Sequence, residues 1–212
     1  MDINIRREEE KDRRIVEEVT REAFWNLHVP GCEEHYLVHT MRNHPDFIPE
    51  LNFVAELNGT VVGNIMYTIS TLTDQIGKKI ETLTFGPLSV LPDFQRKGIG
   101  SKLIQHTLDI ARSQGYPAVI IHGHPKNYIR AGFKISKDFG ISDTDNRYPY
   151  HLLVVELHPG AIPAGAWKYT ESNAYCYDIE AFDAFDITFP RKKKEVTYTQ
   201  YEFTITSKAY VE

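Results

Sequence analysis

The chain has 212 residues, 42% of them hydrophobic and 25% charged, a globular composition that excludes a disordered or fibrous chain. Folding at this length removes roughly 70% of the unfolded chain's surface from water, so a full core forms without covalent staples. The 24 Lys and Arg against 29 Asp and Glu leave a net charge of −5, the wrong sign for a protein that tracks a nucleic-acid backbone.

Ile3 and Ile5 alternate with polar neighbours, as a short half-buried strand does, and the acidic residues Glu8, Glu9 and Glu10 precede an apolar-periodic segment. There Ile15, Val19, Ala23 and Leu27 recur every fourth residue, which lays one stripe along a helix over about 11–25. After Pro30-Gly31, the positions of Tyr36, Leu37 and Met41 predict a second short helix over 33–43, ending before Pro45. Residues 53–57 and 61–70 are β-rich runs joined by Asn58-Gly59, a strong hairpin signal. The formal glycosylation triplet Asn58-Gly59-Thr60 is therefore read as a turn.

Residues 79–90 carry apolar groups on both parities, which predicts a central strand covered on two faces. Ile99, Leu103, Ile104, Leu108 and Ala111 have helical period over 98–114, with Gly115 at the stop position, and 118–122 reads as a buried parallel strand. Residues 133–135 and 151–157 are further strands; between them lies a polar loop with Asp138, Asp143, Asp145 and Asn146 that borders a pocket in this reading. Beyond Pro159 a Pro/Gly/Ala connector leads to a short aromatic helical pattern over 180–189, four bases at 191–194, and a stretch over 196–211 that alternates like an extra strand or hairpin.

The chain has two cysteines, Cys32 and Cys176, too few for a disulfide framework and consistent with a reducing cytoplasm. No run approaches the roughly 18 apolar residues of a membrane span, and no signal-peptide stretch opens the sequence. A soluble cytoplasmic protein with no nucleic-acid or membrane partner is expected. His28, Cys32, His35, His39 and His44 are spaced as on a helix face, but they form no closed zinc pattern, so no metal is expected.

Chemistry concentrates where the central strand runs into the third helix, through Gln95, Arg96, Lys97, Gly98, Ile99, Gly100 and Ser101. Amides at a helix start lack intrahelical partners, and the helix dipole adds partial positive charge there. Gly98 and Gly100 have no Cβ to block close approach, while Arg96 and Lys97 supply charge, so the turn suits a diphosphate. It is not a dinucleotide fingerprint, since no third glycine follows at the required spacing, and not a Walker loop, since the Gly-Lys-Ser/Thr order is missing.

The pattern Gln/Arg-x-x-Gly-x-Gly/Ala, preceded by Leu88-Ser89-Val90 and Pro92 and followed by Tyr128-Ile-Arg-Ala-Gly-Phe133, resembles the GNAT superfamily of acetyl-CoA-dependent N-acetyltransferases. The resemblance covers about residues 3–157. It implies a mixed α/β (α+β) fold: a mostly antiparallel central sheet with one splayed parallel strand pair, flanked by helices, forming a domain over 1–157, with an extension over 158–212 packed on it. It further implies that the pantetheine arm of acetyl-CoA pairs with the backbone of Leu88 and Val90, that amides from Arg96 to Ser101 hold the pyrophosphate, and that Tyr128 donates a proton to the departing thiolate. The acceptor would be a primary amine on a small molecule or protein, attacking directly.

The general base is open. Where some family members carry a carboxylate or histidine, this chain has Thr84 and Gly86, which leaves Glu81, His122, His124 or a water relayed by carbonyls. Trp25, His28 and Tyr36 are candidates for the acceptor side, as the first two helices wall that site in the family. The missing base also keeps open a non-catalytic CoA-binding module, and a longer acyl donor is a further alternative. Strands near the C-terminus suggest a homodimer through an extended sheet.

Overall fold

The computed structural model describes residues 2–212. Strand β1 (Asn4–Arg7) leads into α1 (Arg13–Phe24) through a single 3-10 turn. Glu9 and Asp12 form a capping box on that turn, and Arg6 binds Asp12 at 2.6 Å, so the acidic run acts as a helix start. Next come α2 (Glu34–Met41), β2 (Phe53–Leu57), β3 (Thr60–Asp74) and β4 (Lys79–Val90). The β2–β3 hairpin turns on Asn58 and Gly59, both in the left-handed region at φ 50° and 80°. Then follow α3 (Ile99–Ser113), β5 (Ala118–His122), α4 (Pro125–Tyr128), β6 (Lys134–Ile135), β7 (Ile141–Ser142), β8 (Leu152–Glu156), β9 (Trp167–Thr170), α5 (Ile179–Asp186) and α6 (Tyr198–Thr206).

One nine-stranded sheet runs in the order β1-β2-β3-β4-β5-β8-β6, with β9 beside β3 and β7 beside β9. It is antiparallel except at β4–β5 and β7–β9. Against one face, α3 buries Leu103, Ile104, Leu108 and Ala111 with Val119, Ile121 and Phe133. Each such side chain contributes about 1.5–3 kcal/mol by leaving water. Against the other face, α1 and α2 bury Val16, Val19, Leu37, Val38 and Met41 on Val54 and Met66. A third cluster joins Leu72, Ile120, Leu152 and Val154 to Trp167 and Tyr169 of β9.

Two features of the C-terminal stretch differ from the sequence reading. Residues 167–170 were not expected to pair, yet β9 joins β3 with Thr170 opposite Thr71. The stretch over 196–211, expected to be a strand or hairpin, holds the helix α6. Its threonines and aromatics favour strands in isolation, but tertiary contacts at helical spacing decide otherwise. The carbonyls of Asn26 and Leu27 accept from Thr197, Thr199 and Gln200, Phe203 stacks on His28 with centroids 4.4 Å apart, and Thr204 and Thr206 bond back to the carbonyls of Gln200 and Glu202.

Candidate active site

The turn from β4 to α3 leaves six consecutive amides unused. Among the described residues, none of the N–H groups from Arg96 to Ser101 donates to another protein group; the first bond of α3 runs from Lys102 N to Gly98 O at 3.0 Å. Gly98 caps the helix at φ 83°, and Arg96 is also left-handed at φ 61°. A non-glycine residue held there stores strain of order 1–3 kcal/mol, and the surroundings that hold it are visible. Gln95 Nε2 binds Val90 O at 3.0 Å and Lys97 Nζ binds Asp93 O at 2.7 Å, pinning the turn from both sides. An added Cβ on Gly98 would meet nothing within 4 Å, so the space over the turn is open. Ile99 is buried and anchors the helix start, whereas Gln95, Arg96, Lys97 and Ser101 are exposed. Unpaired amides, a helix dipole and two cationic side chains are the features that favour an anion.

Leu88 and Val90 back this turn on the α3 side, and Ser89 faces the other way. Its hydroxyl is buried and bonded to Thr20 at 3.1 Å, in a chain that continues to Asn64 at 3.3 Å. The Ser89 side chain thus ties β4 to α1, and only its backbone is left for a ligand.

Below the turn the sheet opens. Strands β4 and β5 share one register pair, Leu83 with Val119, and beyond it β4 pairs only with β3. The β3–β4 register slips between Ile65 and Tyr67, opposite Gly86 and Pro87, and such a bulge bends a strand away from its neighbour. The β5-facing edge of β4 from Gly86 to Val90 is therefore free to receive an extended ligand segment. Tyr128 stands at this gap, its ring 5.9 Å from both Phe85 and Phe133. Gly123 lies so close that a Cβ there would overlap the Tyr128 ring. Burial pushes the Tyr128 hydroxyl up to about 12, so it keeps its proton across the working pH range.

The base candidates separate in space. Glu81 is exposed and pairs with Thr71, on the closed side of the Leu83–Val119 bridge; five residues, or about 16 Å of strand, divide it from Gly86. His124 accepts from Lys126 N at 3.3 Å as the cap of α4 and faces Glu202 of α6 at 3.9 Å. His122 ends β5 beside Gly123 and faces the opening. Its ring lies 4.9 Å from His151 and 5.7 Å from Tyr169, and its Nε2 is 3.9 Å from Glu171. Partial desolvation, with His151 beside it, lowers His122 to about 4, and partial desolvation raises Glu171 from its ordinary carboxylate value, while the two side chains stay 37% and 43% exposed. Thr84, at the place where a base was sought, binds the Tyr169 hydroxyl at 2.6 Å, and Tyr175 reaches Gly86 O at 3.4 Å. Glu171, Tyr169 and Tyr175 come from the segment after Pro159. Tyr175 belongs to the late aromatics of the sequence, but nothing local marks Tyr169 or Glu171, because their placement depends on β9 pairing with β3.

Trp25, His28 and Tyr36 hold the extension. Trp25 Nε1 donates to Lys193 O at 3.0 Å and its ring lies under Arg21 and Lys192; His28 stacks on Phe203; Tyr36 packs on Phe182, Phe185 and Tyr177. The histidines of the α1–α2 region have separate partners: His28 with Glu34, His39 with Glu17 and His44 with Asp46. Among the described residues, no three His, Cys, Asp or Glu side chains form a metal-binding group. Of the polar loop expected to border a pocket, Asp138 lines an open surface cleft of about 410 Å³ with Glu156 and Ile162, whereas Asp143, Asp145 and Asn146 do not line it. A second cleft, of about 430 Å³, lies by Arg6 and Glu56; neither opens at the strand gap.

One arrangement imitates a catalytic triad. Cys32 Sγ is 3.2 Å from His35 Nδ1, and His35 Nε2 is 3.0 Å from Asp186, which also binds Arg21 at 3.0 Å. Burial raises the Cys32 thiol to about 12 and lowers His35 to about 4, so thiol and imidazole are both neutral. The thiolate is the nucleophile, and none forms here; the cluster fastens α5 to α1 and α2.

The acetyltransferase (GNAT) family model matches residues 21–133, about half of the chain. The uncharacterized N-acetyltransferase YjhQ of Escherichia coli (strain K12) is 29% identical over 110 residues, which span 52% of this chain and 57% of YjhQ. The uncharacterized N-acetyltransferase YhbS of Escherichia coli (strain K12) is 31% identical over 122 residues, 55% of this chain and 70% of YhbS. The crystal structure of YhbS in complex with CoA superposes with a TM-score of 0.68 at 23% identity, covering 82% of this chain and 92% of that one. A GNAT family acetyltransferase from Brucella melitensis in complex with acetyl-CoA gives 0.63 at 26% identity, covering 82% and 98%. With the open amide turn and the splayed strand pair, these matches establish that the chain belongs to the acetyltransferase (GNAT) family.

Proposed function

We propose that the protein transfers an acetyl group from acetyl-CoA to a primary amine of a small molecule or protein. The observation that carries this reading is the run of six unclaimed amides at the start of α3, directly above the free edge of β4. In this reading the pyrophosphate occupies the amide turn, with Arg96 and Lys97 adding charge, and the pantetheine arm runs along Leu88 and Val90. The thioester then comes to rest at Gly86, between Tyr128 and His122. Both solved neighbours named above were crystallised with CoA or acetyl-CoA, which supports the same donor here.

Acetyl transfer by direct attack needs a neutral amine and a stabilised thiolate. Tyr128 serves the second need. With its hydroxyl near 12 and a thiol ordinarily near 8.5, full proton transfer to sulfur runs uphill by roughly 4–5 kcal/mol, so Tyr128 acts mainly as a hydrogen-bond donor to the developing charge. Cys32 does not serve as a covalent relay, because it is buried and protonated. Residues 158–212 act as an extension that completes the acceptor side. No helix of the described residues is long and apolar enough to cross a membrane, and both cysteines are free, which supports action in the cytoplasm.

Calorimetry with CoA, followed by thiol release from acetyl-CoA in the presence of an amine panel, tests the reading. Binding in the micromolar range with amine-dependent thiol release is expected. Absence of CoA binding refutes it, and binding without release from any amine replaces it with a non-catalytic CoA module.

A further inference from the structure

We infer that Glu171, delivered by β9 from the C-terminal extension, is the group that takes the proton from the acceptor nitrogen, with His122 beside it at the strand gap. The inference rests on the acetyltransferase reading and supplies the base that β4 lacks at Thr84 and Gly86. Glu171 lies outside residues 21–133, where the family pattern matches, so that pattern assigns it no role.

Geometry selects Glu171. Leu83 and Val119 are level across the parallel pair, so Gly86 and His122, each three residues further on, face each other across the gap. His122 shares the parity of Ala118 and Ile120, which pack with Tyr169, so it points to the sheet face that carries Thr84. After Thr170 the chain leaves β3 and crosses this face until Tyr175 reaches the Gly86 carbonyl at 3.4 Å. Glu171 sits on that path, 3.9 Å from His122. The other polar and titratable groups around it are His151 ahead of β8, Tyr169 on β9, Tyr175, and the His44, Asp46 and Ser172 group, where Ser172 binds Asp46 at 2.7 Å. Asp143 acts on His122 from the end of β7, and His124 and Glu202 flank the rim. Among the described residues no Lys or Arg forms an ion pair with Glu171, so its carboxylate is open to an ammonium.

Partial desolvation favours the transfer, because it raises the carboxylate from its ordinary value and so brings its proton affinity nearer that of the ammonium. The ammonium gives one proton to Glu171, and the freed lone pair forms the N–C bond to the acetyl carbonyl carbon. Collapse breaks the C–S bond, and its electron pair leaves on sulfur, held by the Tyr128 hydroxyl. The second nitrogen proton passes to sulfur, giving amide and free thiol, and Glu171 returns its proton to water.

The test compares Glu171→Gln with the wild-type chain, using acetyl-CoA with spermidine, kanamycin or a lysine-containing peptide, whichever the wild type acetylates fastest. The expected variant binds acetyl-CoA within twofold of wild type, loses at least about 100-fold in kcat/KM at pH 7, and regains rate tenfold per pH unit up to the pKa of the amine. A merely structural role would lower the rate equally at every pH. A rate within threefold of wild type, a uniformly lowered profile, or lost acetyl-CoA binding overturns the assignment while the acetyltransferase reading stands. If the wild type acetylates none of the amines, that reading falls and the base assignment falls with it.

Discussion

Gly98 and Gly59 provide a matched pair for testing the phosphate turn. Both are left-handed, at φ 83° and 80°, and a Cβ on either would meet no protein atom within 4 Å. Alanine at either position carries the same backbone penalty, about 1 kcal/mol, which for a chain of this size lowers Tm by about 2–4 °C. The two positions differ only in what lies over them. Gly59 is the tip of the β2–β3 hairpin, while the Cβ of Gly98→Ala enters the space above the unclaimed amides. Displacing one phosphate oxygen from a charge-assisted bond costs about 2–3 kcal/mol, a rise in Kd of about 30- to 150-fold. Differential scanning calorimetry should therefore give equal Tm shifts for the two variants, and titration with CoA should weaken for Gly98→Ala alone. Equal Tm shifts with a Gly98→Ala Kd within twofold of wild type would refute the claim that this turn holds the pyrophosphate.

Tyr128→Phe should lower kcat about 100-fold, the usual loss for one donor to a developing anion, and leave the acetyl-CoA Kd within twofold; unchanged turnover would remove the donor. In native protein at pH 8, iodoacetamide should label Cys176, which is exposed, and spare Cys32, whose thiol burial raises to about 12, with both labelled in urea; rapid double labelling would expose the Cys32 site as open. His35 is fully buried and lowered to about 4, against about 6.5 in the unfolded chain, so between those values the unfolded state binds more protons. Stability is then full above pH 6.5 and lost as pH falls toward 4, by about 2 kcal/mol at pH 5. Urea midpoints at pH 7.5 and 5 with equal m values measure this, and a pH-independent midpoint would contradict a neutral His35.

Sequence alone determined the features that are local in the chain. The hairpin at Asn58-Gly59, the central strand over 79–90, the period of α3 and the glycines of its first turn are each set by backbone propensity or apolar spacing within a few residues, whereas Tyr128 stood out only through the family resemblance. The proposed donor side is built from one continuous stretch, which is why its turn stood out in the sequence. The acceptor half depended on tertiary structure. Whether 167–170 pairs with β3, whether 198–206 coils against Asn26 and His28, and whether Glu171 comes beside His122 are decided by contacts between residues far apart in sequence. A four-residue strand and a threonine-rich segment carry too little intrinsic preference to declare themselves, and a carboxylate becomes a base candidate only when folding brings an imidazole alongside it at the strand gap.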